Sequence, residues 1–598
     1  MKCDGALPGP CGPRPWKTAP EHRERCATTG RTRVREAVAT AIHDSGATMV
    51  FCLMGATNQH LIDDLSGRLG MRLVHARHES GAVGMADGYA RFGGGLAVAT
   101  VTAGPGLTNT ATALAVAAAH RSPVLLLAGD VPGGNRDNPQ YLDQPSFTRL
   151  CAGTGLRLDD PGQLDEALAQ ASLAMADGRP FALHLPADVQ EMPAPDAEPA
   201  SAVDGARADV TDDGSTRLDA RALDAAVDLL AGSARPVLVA GRGALHAGPL
   251  LLELAREAGA VVATTLRAAG LFAGDRAEIG ITGGMGDGRA DDALAAADLV
   301  IAVGTTMHPL SAAALHERPH RPPLVRIDTA PAPQALRPHG NHADHGSHRN
   351  HGNHIHLRGD AALMTTLLLR RLRERRPRPR VLAVGKPPLW QPRSCRIAPA
   401  GGRGRAVHPI AALEALEALL PRPCNLVIGG GHAALSACQV LTPDAPDRFT
   451  CVSTDFGAIG QALAVALGAC FARPGERVVH VTGDGDLLMS LAELPTAARY
   501  GLPLTIVVLN DHGFGQERHN LARAGGDRDL AEHPAPDLAA LARACGCAGD
   551  RITRPEDLPR LREALTAPGP TLIDLHIDPE YLNPASATVA RAMARSAQ

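Results

Sequence analysis

Three doubly wound α/β domains, each built on a parallel sheet, are the fold class this sequence predicts. Three observations carry the expectation. At 598 residues the chain is too long for one core, and its length suggests about three to four domains. Near-continuous apolar runs alternate with Ala/Leu-rich helical stretches in three separate blocks. That alternation belongs to parallel sheets covered on both faces. Stretches of acidic, Pro-rich or Arg-rich composition separate the blocks.

Residues 1–30, opening MKCDGALPGPCGPRPWK, are Pro/Gly-rich and lack the apolar run of a secretory signal, so they read as a disordered tail. The first domain, 31–195, holds LAVATVTAGPGLTNTATALAVAAAH, then VLLLAGD and FALHLPADV. An acidic Pro/Ala linker spans 196–216. The second domain, 217–372, holds RPVLVAGRGALHAGPLLLELAREAGA, ADLVIAVGTT and PLVRIDT. Within it, 339–356 is a low-complexity insertion in which His339, His342, His345, His348, His351 and His354 recur every third residue. It reads as a solvated loop grown by repeat slippage. The alternative is a metal-binding tract, since a period of three aligns the rings on one side of a polyproline-like chain. An Arg/Pro-rich linker, 373–405, leads to the third domain, 406–585, with NLVIGGG, RVVHVTGDGD and LTIVVLND, and a tail follows at 586–598.

Composition excludes several functions. Aromatics make up 3% of the chain, too few for a stacking platform for single-stranded nucleic acid. A formal charge of −4 gives no general pull toward nucleic acid or anionic lipid. No stretch reaches the roughly 18 apolar residues of a membrane span. The twelve cysteines include no Cys-x-x-Cys pair, and Cys545-Gly-Cys547 is the closest spacing. They read as reduced thiols of a cytoplasmic protein. Neither nucleic acid nor membrane is expected as a partner.

The densest chemical signal is VTGDGDLLMSLAELPTAARYGLPLTIVVLNDHGFG, residues 481–515. Gly483-Asp484-Gly485 ends one apolar strand, and Asn510-Asp511 ends the next, one helix later. In a parallel strand–helix–strand unit both carboxyl ends lie on one edge of the sheet, where ligands of open α/β sheets bind. Carboxylates there suit Mg²⁺, which is usually held by one or two of them plus substrate phosphates. The glycines admit phosphates close to the backbone, and the following helix offers its amino end. Pro495 is expected to kink or shorten that helix, and Asp486 to point to solvent.

This stretch resembles the thiamine-diphosphate signature of the family that includes acetolactate synthase, pyruvate decarboxylase and benzoylformate decarboxylase. The resemblance covers roughly 32–579, in the family order of pyrimidine, middle and diphosphate domains. It implies that Asp484, Asp511 and the Gly513 carbonyl hold Mg²⁺, with Gly483, Gly485, Asp486 and Phe514 around the diphosphate. Asp511 stands where the family has Asn, which adds a negative charge. RHESGAVGMADGYAR (77–91) is similar to the family segment whose Glu bonds N1′ of the cofactor, which implies that Glu79 is the activating carboxylate. A Glu in an apolar pocket has the raised proton affinity this role asks for. STDFGAIGQALAVALG implies Ile459 beneath the two cofactor rings and the Gly457 carbonyl on the amino group. VTAGPGLTN places Gly104 and Asn109 along the pocket, and GGGHAALSACQ brings Gly430, Gly431 and His432 to the diphosphate or the reacting carbon. His78, His120, His432 and His512 are candidate proton shuttles.

The resemblance further implies decarboxylation or carboligation of a small 2-oxo acid in a homodimer or homotetramer, with the active site between subunits. Members that bind flavin carry Arg-Phe-Asp where this chain reads ADLVIAVGTTMHPL, so no FAD is expected. A scaffold that binds the cofactor without turnover is one alternative, which the presence of Glu79 disfavours. A nucleotide-binding oxidoreductase is another, but no Gly-x-Gly-x-x-Gly with a following acidic residue supports it, and VAGRGALHAG is a loose imitation.

Overall fold

The structure is a computed structural model that describes residues 31–195, 219–308, 310–316, 321–330, 354–375, 406–533, 536–586 and 591. Each of the three blocks forms one six-stranded sheet, and every strand pair is parallel. The first sheet runs, across its width, Arg72–His75, Met49–Cys52, Ala97–Val101, Val124–Asp130, Phe181–Pro186, Gly155–Arg157. The third runs Phe449–Cys451, Asn425–Ile428, Val478–Gly483, Leu504–Asn510, Thr571–His576, Ala548–Ile552. By chain order both read second, first, third, fourth, sixth, fifth, so the outer domains share one topology. The middle sheet runs His354–Arg358, Leu324–Asp328, Leu299–Val303, Pro236–Ala240, Val261–Thr264, Glu278–Ile281, with its reversal beside the Pro236–Ala240 strand. The central strands Val124–Asp130 and Leu504–Asn510 are buried along their whole length, which is why their sequences show no polar alternation.

The outer domains meet through two helices, Glu79–Arg91 and Ala462–Ala472. The second is apolar all round, and ten of its residues are buried. Such a helix is an internal one. Close approach is made possible by glycine on both partners. A Cβ on Gly88 would lie 2.1 Å from the Val465 carbonyl oxygen, and one on Gly468 would lie 2.1 Å from that of Met85. Gly88→Ala should therefore overpack this seam at a cost of about 1–3 kcal/mol. A thermal melt of the variant should run several degrees below the parent, and an unchanged melt would mean the helices can part without penalty.

Three expectations about elements are sharpened or corrected. Pro495 goes with a shortened helix and not a kinked one; the segment breaks into Asp484–Leu488, a 3₁₀ turn at Leu491–Glu493, and Leu494–Arg499, which Pro495 opens. Proline suits the first turn, where its missing N–H is not needed. His354 belongs to the sheet rather than to the insertion, as the first residue of the His354–Arg358 strand, and the other five histidines of the run lie outside the described residues. The helix Ala361–Arg375 runs into the expected linker. The eight described cysteines are all free, and six are buried. No helix among the described residues is long and apolar enough to cross a membrane.

Candidate active site

The shared strand order fixes where a site can form. In the third domain the winding reverses between the strands Asn425–Ile428 and Val478–Gly483. Ligands of doubly wound sheets bind outside the carboxyl ends of the strands at such a reversal. The residues that follow those strands are Gly429-Gly430-Gly431 and Asp484, and the next strand over ends at Asn510 and delivers Asp511.

Asp484 and Asp511 are both buried, at 3% and 6% exposure. Asp484 Oδ2 accepts from the Gly513 amide at 3.0 Å, while its Oδ1 is buried with no donor among the described residues. Burial lifts the Asp484 carboxyl above the usual carboxylate range. Burial, and then the neighbouring charge of Asp484, pushes Asp511 up to about 7. Two carboxylates that disfavour each other's charge, with one orphaned oxygen, are what a bound cation would relieve. Asn510, in contrast, is fully used inside the fold. Its amide donates to Asp574 at 2.7 Å, and its oxygen accepts from the His512 amide at 3.1 Å. Arg518, 1% exposed, ties the same turn by donating to the Asp511 carbonyl at 3.0 Å.

Around this pair the small residues leave room. A Cβ on Gly485 would lie 2.7 Å from the Phe514 ring, and one on Gly430 would lie 2.4 Å from Ile459 Cγ2. Ile459 thus stands over the Gly430 turn, half-buried. Gly431 and Gly457 both have φ of 77°, the left-handed region that glycine enters without strain. Asp486 does not point to solvent. It is 4% exposed, and its carboxylate accepts from the amides of Gly430 at 2.6 Å and Gly460 at 2.5 Å and from the Thr482 hydroxyl at 2.8 Å. It binds three loops of the site to one another.

Glu79 is the first residue of its helix and is half-buried. Its Oε2 accepts from Asn109 Nδ2 at 3.0 Å. Gly104 is demanded by its turn: φ is 59°, and a Cβ would lie 2.5 Å from the Gln140 carbonyl. The adjacent Ser80 hydroxyl donates to Gln461 at 3.0 Å, two residues past Ile459. Among the described residues no hydrogen bond joins Glu79 itself to Ile459 or to the Asp484 group.

The four histidines separate. His78 is exposed, and its Nδ1 accepts from the Ser80 amide at 3.2 Å as a helix cap. His432 is buried against His519, with ring centroids 5.0 Å apart; burial, then His519, pushes it down to about 4, so it is neutral near neutral pH. A ring of that kind can take up a proton but is no standing acid. His512 is half-buried, packs on His576 at 4.7 Å, and is lowered by burial. His120 lies at the end of its helix, and its Nδ1 meets Asp455 at 3.1 Å. Burial and then Arg91 lower its pKa.

Asp455 joins all three domains. It accepts from Arg91 at 2.5 Å and from Arg267 at 2.7 Å, beside a cavity of about 340 Å³ that Arg242 also lines. Against the cost of burial, Arg91 and His120 hold its carboxyl well below the usual carboxylate range. Asp455→Ala would take one carboxylate from two guanidiniums while Arg91 keeps its pair with Asp87 at 2.7 Å, so it should cost about 1–3 kcal/mol. Chemical denaturation should detect that loss, and a parent-like midpoint would contradict it.

Sequence reasoning missed Glu493 and Asp455. A carboxylate satisfied by distant backbone amides or by arginines from other domains leaves no local pattern.

The class this fold and site define is a three-domain α/β protein whose two outer domains share one topology and pack through the helices Glu79–Arg91 and Ala462–Ala472. The chain belongs to the thiamine pyrophosphate enzyme family and is of the acetolactate-synthase-like type. The N-terminal thiamine pyrophosphate binding domain of that family matches residues 32–148, the central domain 223–339, and the C-terminal binding domain 429–575. The chain is 30% identical over 558 residues to an acetolactate synthase large subunit of Parasynechococcus marenigrum, covering 88% of this chain and 86% of that one. It is 30% identical over 575 residues to a probable 2-ketoarginine decarboxylase of Pseudomonas aeruginosa, covering 93% and 95%. The fold is also that of a thiamine diphosphate-dependent 4-hydroxybenzoylformate decarboxylase of Rhodococcus jostii, at a TM-score of 0.72 and 20% identity over 92% of this chain and 99% of that one.

Proposed function

We propose that the chain uses thiamine diphosphate and Mg²⁺ to decarboxylate a 2-oxo acid, to join the resulting fragment to a second carbonyl compound, or both. The observation that carries this reading is the buried, donorless Asp484 oxygen beside Asp511. Asp484, Asp511 and the Gly513 carbonyl would hold the metal. Gly430, Gly431, Gly483 and Gly485 admit the diphosphate, and Phe514 and Asp486 shape the turns that present it. Ile459 would support the rings, the Gly457 carbonyl would accept from the amino group, and Glu79 would share a proton with the pyrimidine. Bound thiamine diphosphate supplies a nucleophilic carbon and takes up the electron pair left by departing carbon dioxide. His512 and His78 are the proton carriers best exposed for exchange with a substrate.

Relatives named for acetolactate synthesis and for 2-ketoarginine decarboxylation support a 2-oxo acid as substrate class. A homodimer is the minimum working unit in this reading, with each site completed by the partner's outer domain. Calorimetric titration with thiamine diphosphate, with and without Mg²⁺, tests the first half. Carbon dioxide release from a panel of 2-oxo acids, with mass spectrometry of the products, tests the second. Uptake without turnover on any member of the panel would favour a non-catalytic scaffold.

A further inference from the structure

We propose that Glu493 is a positioning residue for Glu79: its carboxylate, contributed by the third domain, caps the Glu79 helix of the first domain and fixes where that side chain points. The inference rests on the role proposed for Glu79. Glu493 is 2% exposed. Its Oε1 accepts from the amides of Arg77 and His78, both at 3.0 Å, and its Oε2 accepts from the Thr496 hydroxyl at 2.7 Å. Three donors converge on it, which is the environment of an ionised carboxylate. Burial still raises its pKa above the usual carboxylate range, and the bonds from Thr496, Arg77 and His78 oppose that in part.

The helix is shaped to receive it. A Cβ on Gly81, in the first turn, would lie 2.0 Å from Glu493 Oε1. The helix start cannot satisfy these amides from within, because the amides ahead of a first turn have no intrahelical acceptor. The ring of His78 serves Ser80, so Glu493 serves the two residues before Glu79. Fixing two successive amides fixes the two peptide planes just ahead of the one that carries Glu79, and so where the Glu79 Cα sits. Misplacement by about 1 Å of a reacting group costs roughly 10²-fold in rate. A negative charge at a helix start is also favourable in itself.

Two variants reach the clamp from opposite domains. Glu493→Ala removes the acceptor, and Gly81→Ala drives the carboxylate away while leaving a good helix former. In the protein without cofactor, hydrogen–deuterium exchange of the Arg77 and His78 amides should speed up by about tenfold or more in both. With thiamine diphosphate and Mg²⁺ added, exchange of the cofactor's C2 hydrogen should slow by roughly 10²-fold, with uptake of the cofactor unchanged. Glu493→Gln keeps an oxygen for the two amides and should recover C2 exchange to within about fivefold of the parent, and the double variant should be no worse than either single one. Unchanged amide exchange would overturn the clamp. C2 exchange within about twofold of the parent despite lost amide protection would reduce it to a structural contact. A Glu493→Gln variant as slow as Glu493→Ala would overturn positioning in favour of charge. If the parent neither takes up the cofactor nor exchanges its C2 hydrogen, the proposed function fails instead, and the amide measurement still decides whether the clamp exists.

Discussion

Glu79→Gln should lower turnover by roughly 10⁴-fold or more, at or above the upper end of what one acid–base group contributes. The side chain is the first residue of its helix and is held by Asn109 at 3.0 Å, so an amide of the same shape fits without disturbing the fold. What it loses is the proton it would share with the pyrimidine. The metal and diphosphate contacts lie on other strands, so uptake measured by calorimetry should stay within about threefold of the parent, the pattern of an interaction used in catalysis rather than binding. Steady-state rates on the best 2-oxo acid check the first half. A variant with parental turnover would remove Glu79 from the mechanism.

Asp484→Ala should weaken metal-dependent uptake of thiamine diphosphate by about two to three decades. Removing one partner of a buried charge pair costs about 3–5 kcal/mol, and each 1.4 kcal/mol is about tenfold in affinity. The same site makes uptake depend on pH. A metal requires its carboxylates ionised, and Asp511 is pushed up to about 7 by burial and by Asp484. Affinity for Mg²⁺ should therefore rise as pH increases through about 7 and level off above it. The sign for the metal-free protein is opposite. A carboxyl whose folded pKa exceeds its unfolded value stabilises the fold while protonated, and that stability is lost as pH rises between about 4 and 7. Asp511→Asn should accordingly raise the thermal midpoint of the metal-free protein at pH 8, where about nine-tenths of the native carboxyl would carry charge. Titrations at several pH values check the first statement, and melts with and without chelator check the second. A flat pH profile would detach Asp511 from the metal.

The acidic tips and the Glu79 helix start were legible because their chemistry is carried by adjacent residues at readable intervals. Gly483-Asp484-Gly485 and Asn510-Asp511 bracket one helix-and-strand unit, and the sheet order brings them to one edge. The common topology of the outer domains was not legible, since strand order is decided by crossovers and not by any run of residues. Asp486 was misread for a related reason. Its partners are amides at Gly430 and Gly460 and the Thr482 hydroxyl, two of them on other loops, so nothing beside it in the chain announces a buried carboxylate. His432 and His120 looked alike as titratable rings in loops or helix ends, but burial and neighbouring charge, both properties of the packed state, decide their protonation.

The contact of Gly88 on Val465 and of Gly468 on Met85 leaves no room for a side chain where the two helices cross. Interlocked backbones resist both sliding and twisting, because either motion drives a carbonyl into a neighbouring chain. Any opening of this molecule is therefore expected in its loops and side chains around a stationary pair of helices, and not as a clamshell swing of one outer domain against the other.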